Sequence, residues 1–320
     1  MRIVRRPREL GVLDIHGLYS VSPQMEQLRR QLLRVAKADC TVLIGGESGT
    51  GKELVARAVH AESSRREAPF RAVNCATFSP TLLESELFGH VRGAFTGATR
   101  DRPGLFALAD KGTLFLDEVA EISHDLQGRL LRVLQERSFL PVGSTRPVNV
   151  DVRLVSATNK NLRTEAGEGR FRDDLMYRLR VVPIFLPPLR ERAGDVEALF
   201  WHFVDEVNAQ NGRRIEGITP QAMQALRSYA WPGNVRELHN TVECAYVMGD
   251  GPVIQFEDLI PEVRGEPPSG GAHERSSESE RGRVLAALAK HRGRMTSAAV
   301  ELGVSRTTLW RKMYALGLRD

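Results

Sequence analysis

The chain has 320 residues, 42% hydrophobic and 27% charged, a globular composition with length for more than one hydrophobic core. No apolar run approaches the roughly 18 residues of a membrane span, no apolar stretch follows the basic start as a secretory leader needs, and Cys40, Cys75 and Cys244 have no metal-ligand spacing, so reduced thiols in a cytoplasmic protein without membrane attachment are expected. The net charge of +5 sits in the tail: residues 278–320 hold nine Lys/Arg against four acids, and the remainder is neutral, which suggests a polyanion partner for that segment.

Residues 1–20 lack periodicity and read as a partly ordered arm. Ser22-Pro23 starts a helix with a capping hydroxyl and proline at the first helical position, and Met25, Leu28, Leu32 and Val35 give it one apolar face. The run Thr41–Ile44 then breaks into Gly46-Glu47-Ser48-Gly49-Thr50-Gly51-Lys52, after which Leu54, Val55, Ala58 and Val59 recur at helical spacing. Buried strand, glycine loop and helix are the context of a P-loop, whose backbone N–H groups converge on an anion while Lys52 reaches the outer phosphates. Glu53 stands where Ser or Thr usually offers a hydroxyl to Mg²⁺. Such a loop alone arises by chance in about one chain in ten of this length, so the rest of the chain has to carry the argument.

Further strands are predicted at 70–73, 113–116, 153–157 and 181–186, three of them closed by polar pairs: Asn74-Cys75, Asp117-Glu118 and Thr158-Asn159. Alternation with helical stretches such as 125–134 predicts an α/β fold, a parallel sheet with helices on both faces and ligands at the carboxyl ends of its strands. Beyond Asp195 the pattern is helical, at 196–207, 220–229 and 234–248. A Pro/Gly/Ser-rich linker spans 265–279, and helices are predicted at 283–290, 296–302 and 305–316. The expected organisation is an arm (1–20), an α/β part (21–190), a helical part (191–264), the linker (265–279) and an all-α tail (280–320).

Two carboxylates beside a P-loop divide the work of nucleoside triphosphate hydrolysis: Asp117 holds Mg²⁺ and Glu118 orients and deprotonates the attacking water. A strand ending in Asp-Glu is otherwise usually a solvated turn. Thr158 and Asn159 are placed to sense a γ-phosphate, although turn residues are the more ordinary reading. Arg172 and Arg178, six apart on a helical stretch, are either salt-bridged surface arginines or arginine fingers acting in trans. Gly93-Ala94-Phe95-Thr96-Gly97-Ala98 suits a flexible loop with one exposed aromatic anchor for a protein partner. In the tail, Thr296 and Ser305 cap two helices around a Gly303-Val304 turn. Leu309, Met313 and Leu316 face the core, leaving Arg306, Thr307, Thr308, Arg311 and Lys312 for a DNA major groove and its phosphates.

GAFTGA at 93–98 joins GESGTGKE (46–53), ESELFGH (84–90), GTLFLDE (112–118), FRDDLMYRL (171–179) and WPGNVREL (231–238). Together they resemble the AAA+ domain of bacterial enhancer-binding proteins, the activators of sigma-54 RNA polymerase, and the tail resembles their Fis-type helix-turn-helix. Glu53 is what this family's Walker A shows. The resemblance implies an ATPase with ATP and Mg²⁺ as cofactors and a helical lid. It makes Lys52 a phosphate ligand, Asp117 the magnesium ligand, Glu118 the general base held or released by Asn74, Asn159 sensor I and Arg236 sensor II. Arg172 and Arg178 would reach the neighbouring subunit's site in a ring, usually a hexamer, and Phe95 and Thr96 would contact the sigma factor. Partners would be sigma-54 RNA polymerase and double-stranded upstream DNA. No receiver domain fits in residues 1–20, so control is expected from a separate regulatory protein, unless the chain is part of a longer one. Competing readings are an AAA+ machine acting on another DNA-bound complex and a repressor that has lost the motor.

Overall fold

Alternating apolar side chains on five short strands explain how this chain covers both faces of one sheet. The computed structural model describes residues 3–6, 13–210, 212, 214–266, 287 and 291, in two units, 1–259 and 260–320. The first unit opens with a hairpin, β1 (Leu13–Ile15) and β2 (Leu18–Ser20), then helix α1 (Pro23–Lys37), β3 (Val42–Gly45), α2 (Lys52–Ala61), β4 (Phe70–Asn74) and α3 (Pro80–Phe88). It continues through β5 (Thr113–Asp117), α4 (His124–Glu136), β6 (Arg153–Thr158), α5 (Asp173–Leu179) and β7 (Val182–Phe185), with shorter pieces between. A helical part follows: α6 (Asp195–Gln210), α7 (Pro220–Ser228) and α8 (Asn234–Met248).

The sheet order is β7-β3-β6-β5-β4 and every pairing is parallel. Successive strand residues face opposite ways. Val42 and Ile44 of β3, Phe115 of β5 and Val155 of β6 therefore pack with Met25, Leu28 and Leu32 of α1 and Val55 and Val59 of α2. Leu43, Leu114, Leu116 and Leu154 turn the other way, into a cluster with Leu83 and Leu87 of α3, Leu126 and Leu130 of α4 and Leu175 and Leu179 of α5. Each large aliphatic buried this way contributes about 1.5–3 kcal/mol. One cation lies within the apolar layer. Arg153 is buried, and its guanidinium donates to Val35 O and Ala36 O, both at 2.8 Å, at the carbonyl end of α1 where the helix dipole is negative.

The structure corrects three expectations. Residues 13–20 of the arm form the β1–β2 hairpin, whose turn residues His16 (φ 51°) and Gly17 (φ 89°) adopt the left-handed pair of a two-residue turn. His-Gly is a usable signal for that turn; two three-residue strands are too short to show a period. Ser22 has extended backbone before Pro23, but its hydroxyl donates to Gln24 Oε1 at 2.6 Å instead of capping α1. Arg172 is the N-cap residue of α5, with ψ 133°, so it precedes the helix on which Arg178 sits.

Buried Asp195, the first residue of α6, accepts Ser20 Oγ (2.7 Å to Oδ2), Val21 N (2.8 Å) and Ser22 N (3.0 Å). That carboxylate joins the hairpin to the helical part. In the second unit, Val263 N donates to Ile260 O at 3.1 Å. The segment 292–320, with Arg306, Thr307, Thr308, Arg311 and Lys312, lies outside the described residues, as does most of the predicted linker. Among the described residues no helix is long and apolar enough to cross a membrane.

Candidate active site

Parallel register brings the polar strand ends together. Asn74 is opposite Asp117 across the β4–β5 pair, and Thr158 is opposite Gly45 across β6–β3, so the ends of four strands open on one edge of the sheet. The loop from Gly46 to Gly51 leaves that edge and α2 begins at Lys52. Gly46, Gly49 and Gly51 have φ of 159°, 76° and 102°. The last two lie in the left-handed region that glycine alone adopts cheaply.

Lys52 is buried and its ammonium is directed at three oxygens: Gly46 O (3.0 Å), Glu47 O (3.4 Å) and Glu118 Oε1 (3.5 Å). Glu118 follows β5 in a left-handed conformation (φ 50°, ψ 49°), and its Oε2 accepts the backbone N–H of Asn159 at 3.2 Å. Beside it, Asp117 Oδ1 accepts the N–H of Glu118 (3.0 Å). Burial, and then the neighbouring Glu118 charge, push the Asp117 carboxyl up from the usual range. A divalent cation relieves both penalties, and one carboxylate completed by phosphate oxygens and water is the donor set Mg²⁺ favours.

Asn74 does not pair with Glu118. Its amide donates to Asp117 Oδ2 at 3.2 Å, while its Oδ1 accepts Ala76 N at 2.9 Å. The ladder register places Asn74 beside Asp117, one residue short of Glu118. Glu53 pairs with Arg57 across one helical turn at 2.7 Å. Thr158 Oγ1 accepts Lys160 N at 3.0 Å, a turn contact, so at this corner the Asn159 peptide is what touches Glu118.

A cleft of about 510 Å³ lies over the loop. Its walls are Ser48, Gly49, Gly51, Lys52, Glu53, Asn74, Asp117 and Glu118 from the α/β part, with Phe203, Val235, Arg236 and His239 from α6 and α8. Arg236 Nη1 donates to Ser48 Oγ at 3.3 Å. Neither Arg172 nor Arg178 lines it: Arg172 pairs with Asp174 at 2.7 Å, and exposed Arg178 donates to Leu134 O at 3.0 Å.

The loop 93–98 is closed by Gly93 N to Ala98 O (2.8 Å) and Ala98 N to Phe95 O (3.0 Å). Gly93 (φ 84°) and Gly97 (φ 105°) are favoured there by their left-handed backbone and not by crowding, since a Cβ on either meets nothing within 4 Å. Thr96 is exposed. Phe95 is half-buried rather than free, with its ring edge-on to His90 at 5.0 Å between centroids. An apolar ring on a short loop sheds water against the nearest aromatic surface.

Sequence reasoning missed the partners of the phosphate loop. Glu47 carries a two-pronged ion pair from Arg190 (2.6 and 2.8 Å) and accepts a hydrogen bond from the Asn234 side-chain amide (3.1 Å). These contacts, Arg190 first, hold its carboxyl down at about 2. Asn234, in the WPGNVREL segment, is fully buried with φ 54°; an Asn after glycine at a helix start is the one available hint of that special conformation.

The profile described as Sigma-54 interaction domain matches residues 18–185, AAA+ ATPase lid domain matches 190–276, and Bacterial regulatory protein, Fis family matches 277–316. The chain is 48% identical over 300 residues to the transcriptional regulatory protein ZraR of Escherichia coli (strain K12), covering 93% of this chain and 68% of the relative. It is 45% identical over 308 residues to the regulatory protein AtoC of the same strain, covering 93% and 67%. A crystal structure of NtrX from Brucella abortus in complex with ADP superposes with a TM-score of 0.72 at 36% identity, covering 94% of this chain and 70% of that one. The same protein in complex with ATP gives 0.71 at 37%, covering 94% and 69%.

Proposed function

The chain belongs to the sigma-54-dependent enhancer-binding activators, AAA+ P-loop ATPases with a helical lid and a Fis-type helix-turn-helix, and on that premise we propose that it converts ATP hydrolysis into remodelling of the sigma-54 RNA polymerase closed complex. One observation carries this reading: the sheet register gathers Lys52, Asn74, Asp117 and Glu118 around a single loop, with Glu118 held by Lys52 and the Asn159 peptide.

In this proposal the nucleotide phosphates lie on the loop Gly46–Lys52, and Asp117 is the residue that would hold Mg²⁺, which would supply charge neutralisation of the phosphates. Glu118 takes the proton of the attacking water, and Arg236 reaches the nucleotide from the lid. Asn74 acts on the pair through Asp117, which it touches, so its influence on Glu118 is indirect. Asn159 senses the γ-phosphate through the peptide it shares with Glu118. Arg172 and Arg178 stand away from their own chain's cleft, which supports a trans role in a ring, a hexamer by family habit. Thr96, at the exposed part of the loop 93–98, contacts the sigma factor, and Phe95 joins it on leaving His90.

The work is divided as the sequence suggested: ATPase at 21–190, lid at 191–264, linker at 265–279, DNA-binding domain at 280–320. Arg306, Thr307 and Thr308 read bases, and Arg311 and Lys312 hold phosphates of upstream DNA in the cytoplasm. The chain spans about two thirds of the length of the two curated relatives named above. The test is open-complex formation in vitro with either sigma-54 or the principal sigma polymerase. Opening with sigma-54 alone, and only with hydrolysable ATP, is expected; opening with the principal sigma, or without hydrolysis, refutes the reading.

A further inference from the structure

Three successive carbonyls of the phosphate loop are taken by donors from the lid and the segment leading to it. Ser48 O accepts Asn234 Nδ2 (3.0 Å), Gly49 O accepts the N–H of Val235 (3.0 Å), and Thr50 O accepts Nη2 of buried Arg192 (2.9 Å). The side chain before them is held as well, Glu47 by Arg190 and Asn234. Approach is so close that a Cβ on Gly49 would lie 2.2 Å from Gly233 O.

A trans peptide is planar, so its C=O and the following N–H point in opposite directions. Fixing the carbonyls of residues 48, 49 and 50 toward the lid fixes the N–H groups of Gly49, Thr50 and Gly51 away from it. Inward-pointing N–H groups are what an anion cradle consists of. We propose that Asn234, with the Glu47–Arg190 pair, is a positioning latch by which the lid sets the phosphate cradle from behind, so that lid displacement loosens phosphate binding. This inference rests on the proposed ATPase reading and deepens it, because Arg236 then adds one direct contact while the latch residues act on the loop itself.

Asn234 is suited to the part on two counts. It tolerates the left-handed backbone at φ 54°, and its Oδ1 accepts Leu189 N at 2.8 Å while its amide donates to Ser48 O and Glu47. One buried amide therefore ties the phosphate loop to the Leu189 backbone. Asn234→Gly keeps the backbone conformation and removes only the amide.

The test measures ADP affinity by calorimetry, ATPase kinetics, and hydrogen exchange of the peptide covering residues 46–52, on the full chain. For Asn234→Gly the expected result is ADP binding weakened at least tenfold, KM for ATP raised more than kcat is lowered, and faster exchange in 46–52. Glu47→Gln is expected to give the same pattern at three- to tenfold, and Arg190→Ala the same. ADP affinity within twofold of the unaltered protein overturns the latch, as does weakened binding with unchanged exchange in 46–52. If Asn234→Gly fails to fold, the half-exposed Glu47–Arg190 pair carries the same decision. Absence of ADP binding by the unaltered protein is a distinct outcome, which overturns the ATPase reading itself.

Discussion

The Nζ of Lys52 stands 3.5 Å from Oε1 of Glu118, and the other oxygen of that carboxylate accepts the N–H of Asn159. The residue proposed to grip phosphate and the residue proposed to activate water are thus held by one another, on loops that leave β3 and β5, the two strands flanking β6. A phosphate arriving at Lys52 competes for its ammonium and changes what holds Glu118, which links nucleotide occupancy to the position of the base.

Separating the two roles is the first prediction. Glu118→Gln retains the hydrogen bond from Asn159 N but no proton-accepting carboxylate, so phosphate release should fall about 10²–10⁴-fold while ADP binding stays within a few-fold. Lys52→Ala should abolish both. Calorimetry and phosphate release on the same samples check this.

Thr96→Ala should leave ATP turnover within about twofold and abolish open-complex formation. The Thr96 side chain is exposed on a loop closed by its own backbone, so its loss removes no internal support. Parallel measurement of phosphate release and promoter opening decides; equal loss of both would count against the loop as the contact.

Acid stability should carry the mark of Glu47. Its folded carboxyl is held at about 2, below the ordinary 4.5, chiefly by Arg190. A lowered acid contributes stability above 4.5 that is lost as pH falls from there through about 2. Glu47→Gln should therefore flatten the fall of Tm across that window. Solvent screening of this half-exposed pair keeps the change small.

Asp195→Ala should destabilise the α/β–lid junction. The substitution leaves the buried Ser20 hydroxyl and the part-buried Val21 N–H without their acceptor and the Ser22 N–H with Ser20 Oγ alone, a loss of about 3 kcal/mol. A fall in Tm of roughly 6–12 °C is expected. Scanning calorimetry checks it, and a fall under 2 °C would show that water replaces the carboxylate.

Amino-acid order alone determined the five strands of the parallel sheet, though not the β1–β2 hairpin, because each is a short run rich in apolar and β-branched residues bounded by glycine or polar stops. It determined the helical lid as well, through side chains repeating at 3.6, and it named the loop, the two carboxylates and GAFTGA, since each is contiguous. Only the tertiary structure decided who pairs with whom. Asn74 meets Asp117 and not Glu118 because ladder register is a property of two strands, 43 positions apart in this case. Glu47 meets Arg190 and Asn234 across 143 and 187 positions, where no local period reaches. Phe95 turned to His90 because an apolar ring is placed by the surface it finds, and no hexapeptide specifies that surface.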